Sequence, residues 1–234
     1  MMLFFVSRNT WYGIVLMNRS ITIFHTDQII LFSLSLSLSY YSFFNKQIRF
    51  ESRLKCDRGR TCKTYHDATD YKVQNRPNAE LVRKSEWQNL PYDPVYYCQK
   101  FKCSALRYGV TTVNQTGEIC DAVGPFPCGK YHDLTIFEDY VQPLLDENEM
   151  VETDRGYRNI KCRNPEDFFT KSEREAKKRL AARHEVVNTR LKDWRSLFHM
   201  FRHDVHQHKY FFFTAAIVDN LGYKKYGPVF SCSY

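Results

Sequence analysis

The sequence predicts an α/β domain over residues 51–234, preceded by an irregular N-terminal segment over residues 1–50. Runs of β-favouring residues precede a long segment in which apolar residues recur at helical spacing. The chain has 234 residues, of which 43% are hydrophobic and 26% charged, and this is ordinary globular usage. This composition excludes a chain that is disordered throughout, because enough apolar side chains are present to form a core.

Residues 1–50 are a low-complexity apolar segment, with Leu-Ser alternation at 33–39, that we expect to lie outside the fold. A secretory signal is one interpretation, although Arg8 and Asn9 interrupt the early apolar run. A membrane helix at 29–44 is a second, although this stretch is short and rich in serine. We favour a third, an accidental extension, because no helix or strand period is sustained. A signal or membrane role stays open.

After residue 50 the sequence predicts four strands, a helix and one apolar stretch of undecided structure, in addition to a longer helix. The predicted strands are 63–74, 106–113, 118–123 and 149–153, and the second and third form a hairpin around the Asn114–Gly117 turn. A helix is predicted over 131–146, and the apolar stretch 211–218 is either a strand or a buried helix.

The longest predicted element is a helix from Ser172 to about His199. Its apolar face should pack on the sheet. The residues on that face are Leu180, His184, Val187, Leu191, Trp194, Phe198 and Phe201. The other faces are basic, with nine Lys or Arg against four acids between 172 and 202.

The net charge of +8 is compatible with a nucleic-acid partner. The eight cysteines lack the two-residue spacing of a zinc knuckle, and the chain is long for a disulfide scaffold. We therefore expect them to be mostly reduced and structural. A zinc-binding or disulfide-rich interaction module remains a third hypothesis, based on the cysteines and histidines alone.

Three carboxylates occupy positions suited to a shared metal site. Asp154 directly follows a predicted strand and precedes Gly156, and Glu185 lies one step from the apolar face of the long helix. Asp67 and Asp70 are three residues apart on one strand, so they point to opposite faces and only one should reach a site. Oxygen ligands favour Mg²⁺ or Mn²⁺ over zinc.

Three familiar active-site motifs are excluded. His184-Glu185 resembles the start of a zinc-protease helix, but Asn188 stands where the second histidine is needed. No G-x-S-x-G elbow and no glycine-rich phosphate loop occurs in the sequence.

Four segments resemble the DDE-superfamily transposase nucleases, most closely the Harbinger-like subgroup. These segments, in chain order, are DATDYKVQ (67–74), GPFPCGKYHDLTIF (124–137), EMVETDRGYR (149–158) and ARHEVVNTRLK (182–192). Their order and spacing also fit the family, and the resemblance extends over about residues 55–234. The chain resembles a truncated or degenerate copy, because the DNA-binding helical module expected upstream is absent.

The resemblance implies a ribonuclease H-like fold, in which a mixed sheet is flanked by helices. It assigns Asp67, Asp154 and Glu185 as catalytic, metal-binding carboxylates, with Asp133 as an additional acid that is either a ligand or a helix cap. It further implies a divalent metal cofactor (Mg²⁺ or Mn²⁺) and two-metal cleavage of DNA phosphodiesters at transposon ends, followed by strand transfer. Ala68 replaces the usual glycine, and Asp70 stays open as the alternative first ligand.

Basic residues beside Glu185 are expected to hold the DNA backbone without reading bases; they are Arg183, Arg190, Lys192 and Arg195. Sequence-specific recognition is then either missing or supplied by a separate DNA-binding protein, and the resemblance implies a nuclear location. Two hypotheses lead: a metal-dependent nuclease derived from a transposase, and an inactive DNA-binding protein that retains the fold.

Overall fold

A computed structural model describes residues 2–7, 10–17, 20–25, 48–56, 61–74, 93–168 and 170–227. The chain divides into two compact units, Met1–Gln47 and Ile48–Tyr234. The candidate membrane helix at 29–44 lies outside the described residues. Within the described ranges, no helix combines the length and apolar character needed to cross a bilayer.

Among its described residues, the first unit contains three strands, β1 (Met2–Ser7), β2 (Thr10–Met17) and β3 (Ser20–His25). They pair antiparallel in the order β1-β2-β3. The N-terminal segment therefore contains strands, although its sequence carries no sustained strand period.

In the part of the second unit that the structure describes, the framework is a six-stranded mixed sheet. Its strands are β4 (Cys62–Lys72), β5 (Tyr97–Cys98), β6 (Cys103–Val113), β7 (Ile119–Pro127), β8 (Met150–Glu152) and β9 (Cys162–Arg163). The central strand β4 lies antiparallel to β6 and parallel to β8, and β9 continues the sheet parallel to β8. Both β5 and β7 pair antiparallel with β6. The predicted hairpin is thus confirmed as β6–β7.

Helices flank this sheet: α1 (Asp133–Ile136), α2 (Lys171–Asp193), α3 (Arg195–Phe198) and α4 (His208–Tyr226). On one face of β4, Tyr65 contacts His184 of α2 with ring centroids 5.0 Å apart. On the other face, His66 contacts Phe137 just after α1 at 5.7 Å. The α/β class, with the mixed sheet and flanking helices that the ribonuclease H-like prediction requires, is confirmed.

The predicted helix over 131–146 is a composite of three short turns rather than one α-helix. After α1 the chain continues as a π-helical turn, Phe137–Val141, and then a 3₁₀ turn, Gln142–Leu144, with Pro143 near its start. Proline lacks the N–H that an α-helix needs at this position, so the regular helix cannot continue.

The long helix is confirmed, but its end differs from the prediction. It begins at a capping box, in which the Thr170 hydroxyl accepts from the Glu173 N–H and the Glu173 carboxylate accepts from the Thr170 N–H. It ends at Asp193, because Trp194 is extended. Phe198 is consequently 66% exposed, and Leu197 occupies the buried position instead.

The apolar stretch 211–218, which the sequence left undecided, belongs to helix α4. Phe212 stacks on Tyr108 of β6 with ring centroids 3.8 Å apart. The hydroxyl of Tyr108 also lies 2.8 Å from Nδ1 of His208, which is completely buried. These contacts attach the C-terminal helix to the centre of the sheet.

A buried ion pair attaches helix α2 to strand β8. Nζ of Lys177 lies 2.9 Å from Oε2 of Glu152 and donates to the Arg163 carbonyl at 3.1 Å. Lys177 is 4% exposed and Glu152 is fully buried. Removing one partner of such a pair leaves an uncompensated buried charge. The pair therefore fixes the helix that carries Glu185 against the strand that leads to Asp154.

Close packing beneath β4 requires a glycine on the neighbouring strand. Gly109 of β6 lies opposite Ala68 of β4. A Cβ at position 109 would lie 2.9 Å from Cε1 of the buried His66, 3.0 Å from Val123 and 3.1 Å from Ile136. No side chain fits there unless these neighbours move.

Candidate metal centre

Asp67 lies in the middle of β4, opposite Val110 of β6, and its side chain is partly buried. Its Oδ1 accepts a hydrogen bond from the N–H of Ala68 at 2.8 Å. The hydroxyl of Tyr157 donates to the same oxygen at 3.4 Å. Both donors act on Oδ1 and restrict the orientation of the carboxylate.

The electrostatic surroundings of Asp67 are acidic. Burial, together with the smaller effect of the like charges of Asp133, Glu185 and Asp154, raises its pKa to about 7, against the opposing hydrogen bond from Ala68. Carboxylates affect one another in this way only when they are close and incompletely screened. The structure therefore brings the predicted acids Asp67, Asp133, Asp154 and Glu185 into one electrostatic neighbourhood.

The pKa of Tyr65 is affected by three of the same acids. Its pKa is raised by burial and then by the charges of Asp67, Asp154, Glu152 and Glu185. Tyr65 precedes Asp67 by two residues and pairs in register with Glu152 of β8. The end of β8 and helix α2 thus approach β4 on the side where Asp67 points.

Asp154 and Glu185 are exposed, so both carboxylates can be reached from solvent. Asp154 follows β8 in a turn in which the Tyr157 N–H donates to the Asp154 carbonyl at 3.2 Å. Glu185 follows His184, which is 1% exposed, and therefore lies at the border of the buried helix face. Its predicted place at the edge of that face agrees with the structure.

Asp70 has a different environment from Asp67. Arg107, its register partner on β6, donates from Nε to Oδ1 at 2.7 Å and from Nη2 to Oδ2 at 3.0 Å. Burial alone would raise the pKa of Asp70, but the hydrogen bonds and charge of Arg107 hold it below the usual value. Asp70 is thus neutralised by a protein cation, whereas three carboxylates surround Asp67.

Arg107 also connects Asp70 to Asp133. Its Nη1 lies 2.7 Å from Oδ1 of Asp133, the first residue of α1, and donates to the Tyr131 carbonyl at 3.0 Å. Burial raises the pKa of Asp133, and the charge of Arg107 opposes this. The arginine therefore sits between the acidic neighbourhood and the far side of β4. Sequence reasoning did not identify it, because cross-strand register cannot be read from a single sequence.

The four predicted DNA contacts occupy different environments. Arg183 is 3% exposed, and its Nη1 donates to the carbonyls of Asn114 and Gln115 at 2.9 Å each. It stabilises the β6–β7 turn and is not on the surface, so the prediction that it holds DNA is wrong. Its helical position predicted an exposed base, but the hairpin turn covers it.

The other three bases are at least partly exposed. Arg190 is 3.4 Å from Asp219 of α4, and Arg195 is exposed. Lys192 is partly buried, and burial and the charge of Lys100 lower its pKa, while the charges of Glu185, Asp70 and Asp67 oppose this. Among the predicted bases, Lys192 thus lies beside the acids.

Comparison with known proteins agrees with this architecture. A family described as DDE superfamily endonuclease matches residues 81–221, more than half of the chain, and the chain belongs to that family. The matched part contains Asp133, Asp154 and Glu185, and Asp67 precedes it. No curated protein and no solved structure matches the chain. The superfamily generally uses divalent metals, and a nuclease family of this kind has DNA as its substrate.

Proposed function

We propose that residues 51–234 form a transposase-derived nuclease domain that cleaves DNA phosphodiesters with two divalent ions, Mg²⁺ or Mn²⁺. Asp67, Asp154 and Glu185 are the proposed ligands, and Asp133 is an additional acid. The raised pKa of Asp67 carries this proposal, because burial and three neighbouring carboxylates act on it within a member of a DDE endonuclease family.

The donor set fits the proposed ions. Four carboxylates in one neighbourhood repel one another, and this repulsion is relieved when a divalent cation binds among them. Carboxylate oxygens are the ligands preferred by Mg²⁺ and Mn²⁺. Asp67 rather than Asp70 is the proposed first ligand, since Arg107 already neutralises Asp70.

Two divalent ions would supply an activated water or 3′-hydroxyl and stabilise the leaving oxygen. Neighbouring residues orient the carboxylates that are proposed to bind the ions. Tyr157 donates to Oδ1 of Asp67 and so keeps one carboxylate oxygen fixed. Arg107, which is paired with Asp70, also holds Asp133, with Nη1 of the arginine 2.7 Å from Oδ1 of Asp133. Asp67 must lose its proton at about neutral pH before it can act as an anionic ligand.

We propose that Lys192 contacts the scissile region of the DNA backbone and that Arg195 contacts the backbone farther along the helix direction. Lys192 lies beside the acids, and Arg195 is exposed beyond the end of α2. Contacts from such cations position DNA and carry no sequence information. We therefore assign sequence recognition to a separate DNA-binding protein, and a nuclear location follows from a chromosomal substrate.

A nicking assay on supercoiled plasmid tests the proposed function. Glu185→Gln and Asp154→Asn should each abolish nicking in Mg²⁺ and in Mn²⁺. Glu175→Gln is the matched control, because Glu175 is an exposed glutamate on the same helix. This control should retain full activity. Nicking that persists in the Glu185→Gln/Asp154→Asn double variant would overturn the assigned site.

The alternative function predicts a different outcome of the same experiment. An inactive DNA-binding protein would not nick plasmid in either metal, yet would still bind DNA with a steep salt dependence. Folded wild-type protein that binds DNA and never nicks it would replace the nuclease proposal with this alternative.

A further inference from the structure

A second cluster of possible metal ligands lies on the opposite side of β4 from Asp67. It consists of Asp70, Cys98 and Cys128, whose ligand atoms all lie within 4.8 Å of one another. The thiol of Cys98 donates to Oδ2 of Asp70 at 3.4 Å, and that of Cys128 donates to Oδ1 at 3.5 Å. Cys98 is 2% exposed and Cys128 is 5% exposed.

The backbone holds the two cysteines together although they are far apart in sequence. Cys98 of β5 pairs with Cys103 of β6, and the Cys128 N–H donates to the Ala105 carbonyl at 3.2 Å. The Gly129 N–H donates to the Val95 carbonyl at 2.9 Å. A side chain at Gly129 would collide with the carbonyl of Pro94, so glycine permits this close approach.

From this geometry we infer that Asp70, Cys98 and Cys128 form a binding site for a thiophilic divalent cation of the zinc class. Zinc binds sulfur at about 2.3 Å and carboxylate oxygen at about 2.0–2.2 Å, so the sulfur–oxygen edge of a tetrahedral site is about 3.5 Å. Sγ of Cys98 lies 3.4 Å from Oδ2 and Sγ of Cys128 lies 3.5 Å from Oδ1, so each sulfur is already near that distance from one oxygen of the carboxylate. Three protein ligands leave the fourth position for water.

The charges of the cluster are compatible with a divalent ion. Asp70 and Arg107 form a neutral pair before binding. When a divalent cation binds, the two thiols each lose a proton to solvent, and two metal–sulfur bonds replace two S–H···O hydrogen bonds. The net charge of the buried group is then unchanged. Arg107 keeps its hydrogen bonds to Asp70 and orients this carboxylate as an outer-shell partner.

The inferred site is distinct from the acidic neighbourhood in ligand chemistry. Two thiolates and one carboxylate favour zinc-class ions, whereas carboxylates alone favour Mg²⁺ or Mn²⁺. Arg107 nevertheless touches both groups, because its Nη1 lies 2.7 Å from Asp133. The sequence did not indicate the site, since 29 residues separate the two cysteines and no short zinc-type spacing occurs.

Titration of the reduced full chain with Cd²⁺ alone tests this inference. Cadmium bound to thiolates gives an ultraviolet charge-transfer band, and we expect it to saturate with one high-affinity equivalent per chain. The Cys98→Ser/Cys128→Ser double variant should lose that equivalent. The control is Cys62→Ser/Cys162→Ser, which removes two other buried thiols and should retain it.

Zn²⁺ competition against a chromophoric chelator gives a second measurement on the same proteins. Wild type and the control should compete, with release of about two protons per ion to a pH indicator. Equal titrations for the Cys98→Ser/Cys128→Ser variant and the wild type would overturn the inference, provided that circular dichroism shows both folded. If the double variant does not fold, each single serine variant should still lose the band. A wild-type protein that binds neither ion, or that forms a Cys98–Cys128 disulfide instead, would also overturn it.

Discussion

Asp67→Asn is expected to stabilise the metal-free protein, although it removes a proposed ligand. The pKa of Asp67 is raised from 3.8 to about 7. Between these two values the folded protein binds more protons at this site than the unfolded chain does. The free energy of unfolding therefore falls as pH rises through this window. An asparagine retains Oδ1 for its two donors and carries no charge.

The magnitude follows from the width of the window. One pKa unit corresponds to about 1.4 kcal/mol, so the shift is equivalent to about 4 kcal/mol above pH 7. The side chain is partly exposed, and screening reduces this to about 2–4 kcal/mol. At pH 5 only about one unit of the window has been crossed, and the gain should be about 1.5 kcal/mol. For a chain of this size, the gain at pH 8 corresponds to roughly 5–15 °C in Tm.

Thermal melting in EDTA, measured from pH 5 to pH 8, is the assay. Asp139→Asn is the control, because Asp139 is an exposed carboxylate in the π-helical turn. In Mn²⁺ at about one thousand times Kd the order should reverse, since an ion that binds only the folded wild type then stabilises it by about 4.1 kcal/mol, which exceeds the gain of the variant. An Asp67→Asn variant that melts below wild type in EDTA at pH 8 would refute the reasoning. A gain that does not increase with pH would refute it as well.

Three further predictions concern stability. Burial lowers the pKa of His184 from 6.5 to about 3, so below pH 6.5 the unfolded chain binds a proton that the folded protein does not. His184→Gln should therefore remove about 1.4 kcal/mol of acid destabilisation per pH unit below pH 6.5. Urea unfolding between about pH 4.5 and 7 in which variant and wild type lose stability equally as pH falls would contradict this. Lys177→Met should cost about 3 kcal/mol in urea unfolding, because the buried Glu152 loses its cation at 2.9 Å, although Arg163 remains 3.8 Å away. Lys178→Met on the exposed side should cost little, and equal losses would contradict the ion-pair argument. Gly109→Ala should cost about 1–3 kcal/mol by overpacking, whereas Gly156→Ala, where a Cβ meets nothing within 4 Å, should be nearly neutral in the same melts.

The sequence predicts which helices and strands occur in the second unit better than it predicts where they end. Strand β4, the β6–β7 hairpin and helix α2 follow from β-favouring residues, turn chemistry and helical spacing. The end of α2 could not be predicted, because the apolar spacing continues through Trp194 to Phe198 while the backbone becomes extended at Trp194. Spacing records which residues would share a face if the helix continued, and tertiary packing decides where it stops.

The acids of the candidate site were predictable as a set, but their surroundings were not. Asp154 and Glu185 follow from their positions after a strand and beside a buried helix face. The choice between Asp67 and Asp70 depends on Arg107, which lies opposite Asp70 only because of the β4–β6 register. Arg183 shows the same limitation, since the hairpin turn that covers it is 68 or more residues away in sequence.

The position of bound metal tests the central claim most directly. Anomalous scattering from crystals of the protein grown with Mn²⁺ locates each ion without reference to activity. We expect Mn²⁺ coordinated by carboxylate oxygens of Asp67, Asp154 and Glu185, with Asp70 still paired to Arg107. Mn²⁺ bound elsewhere, or the three carboxylates too far apart to share ions in the crystal, would contradict the account.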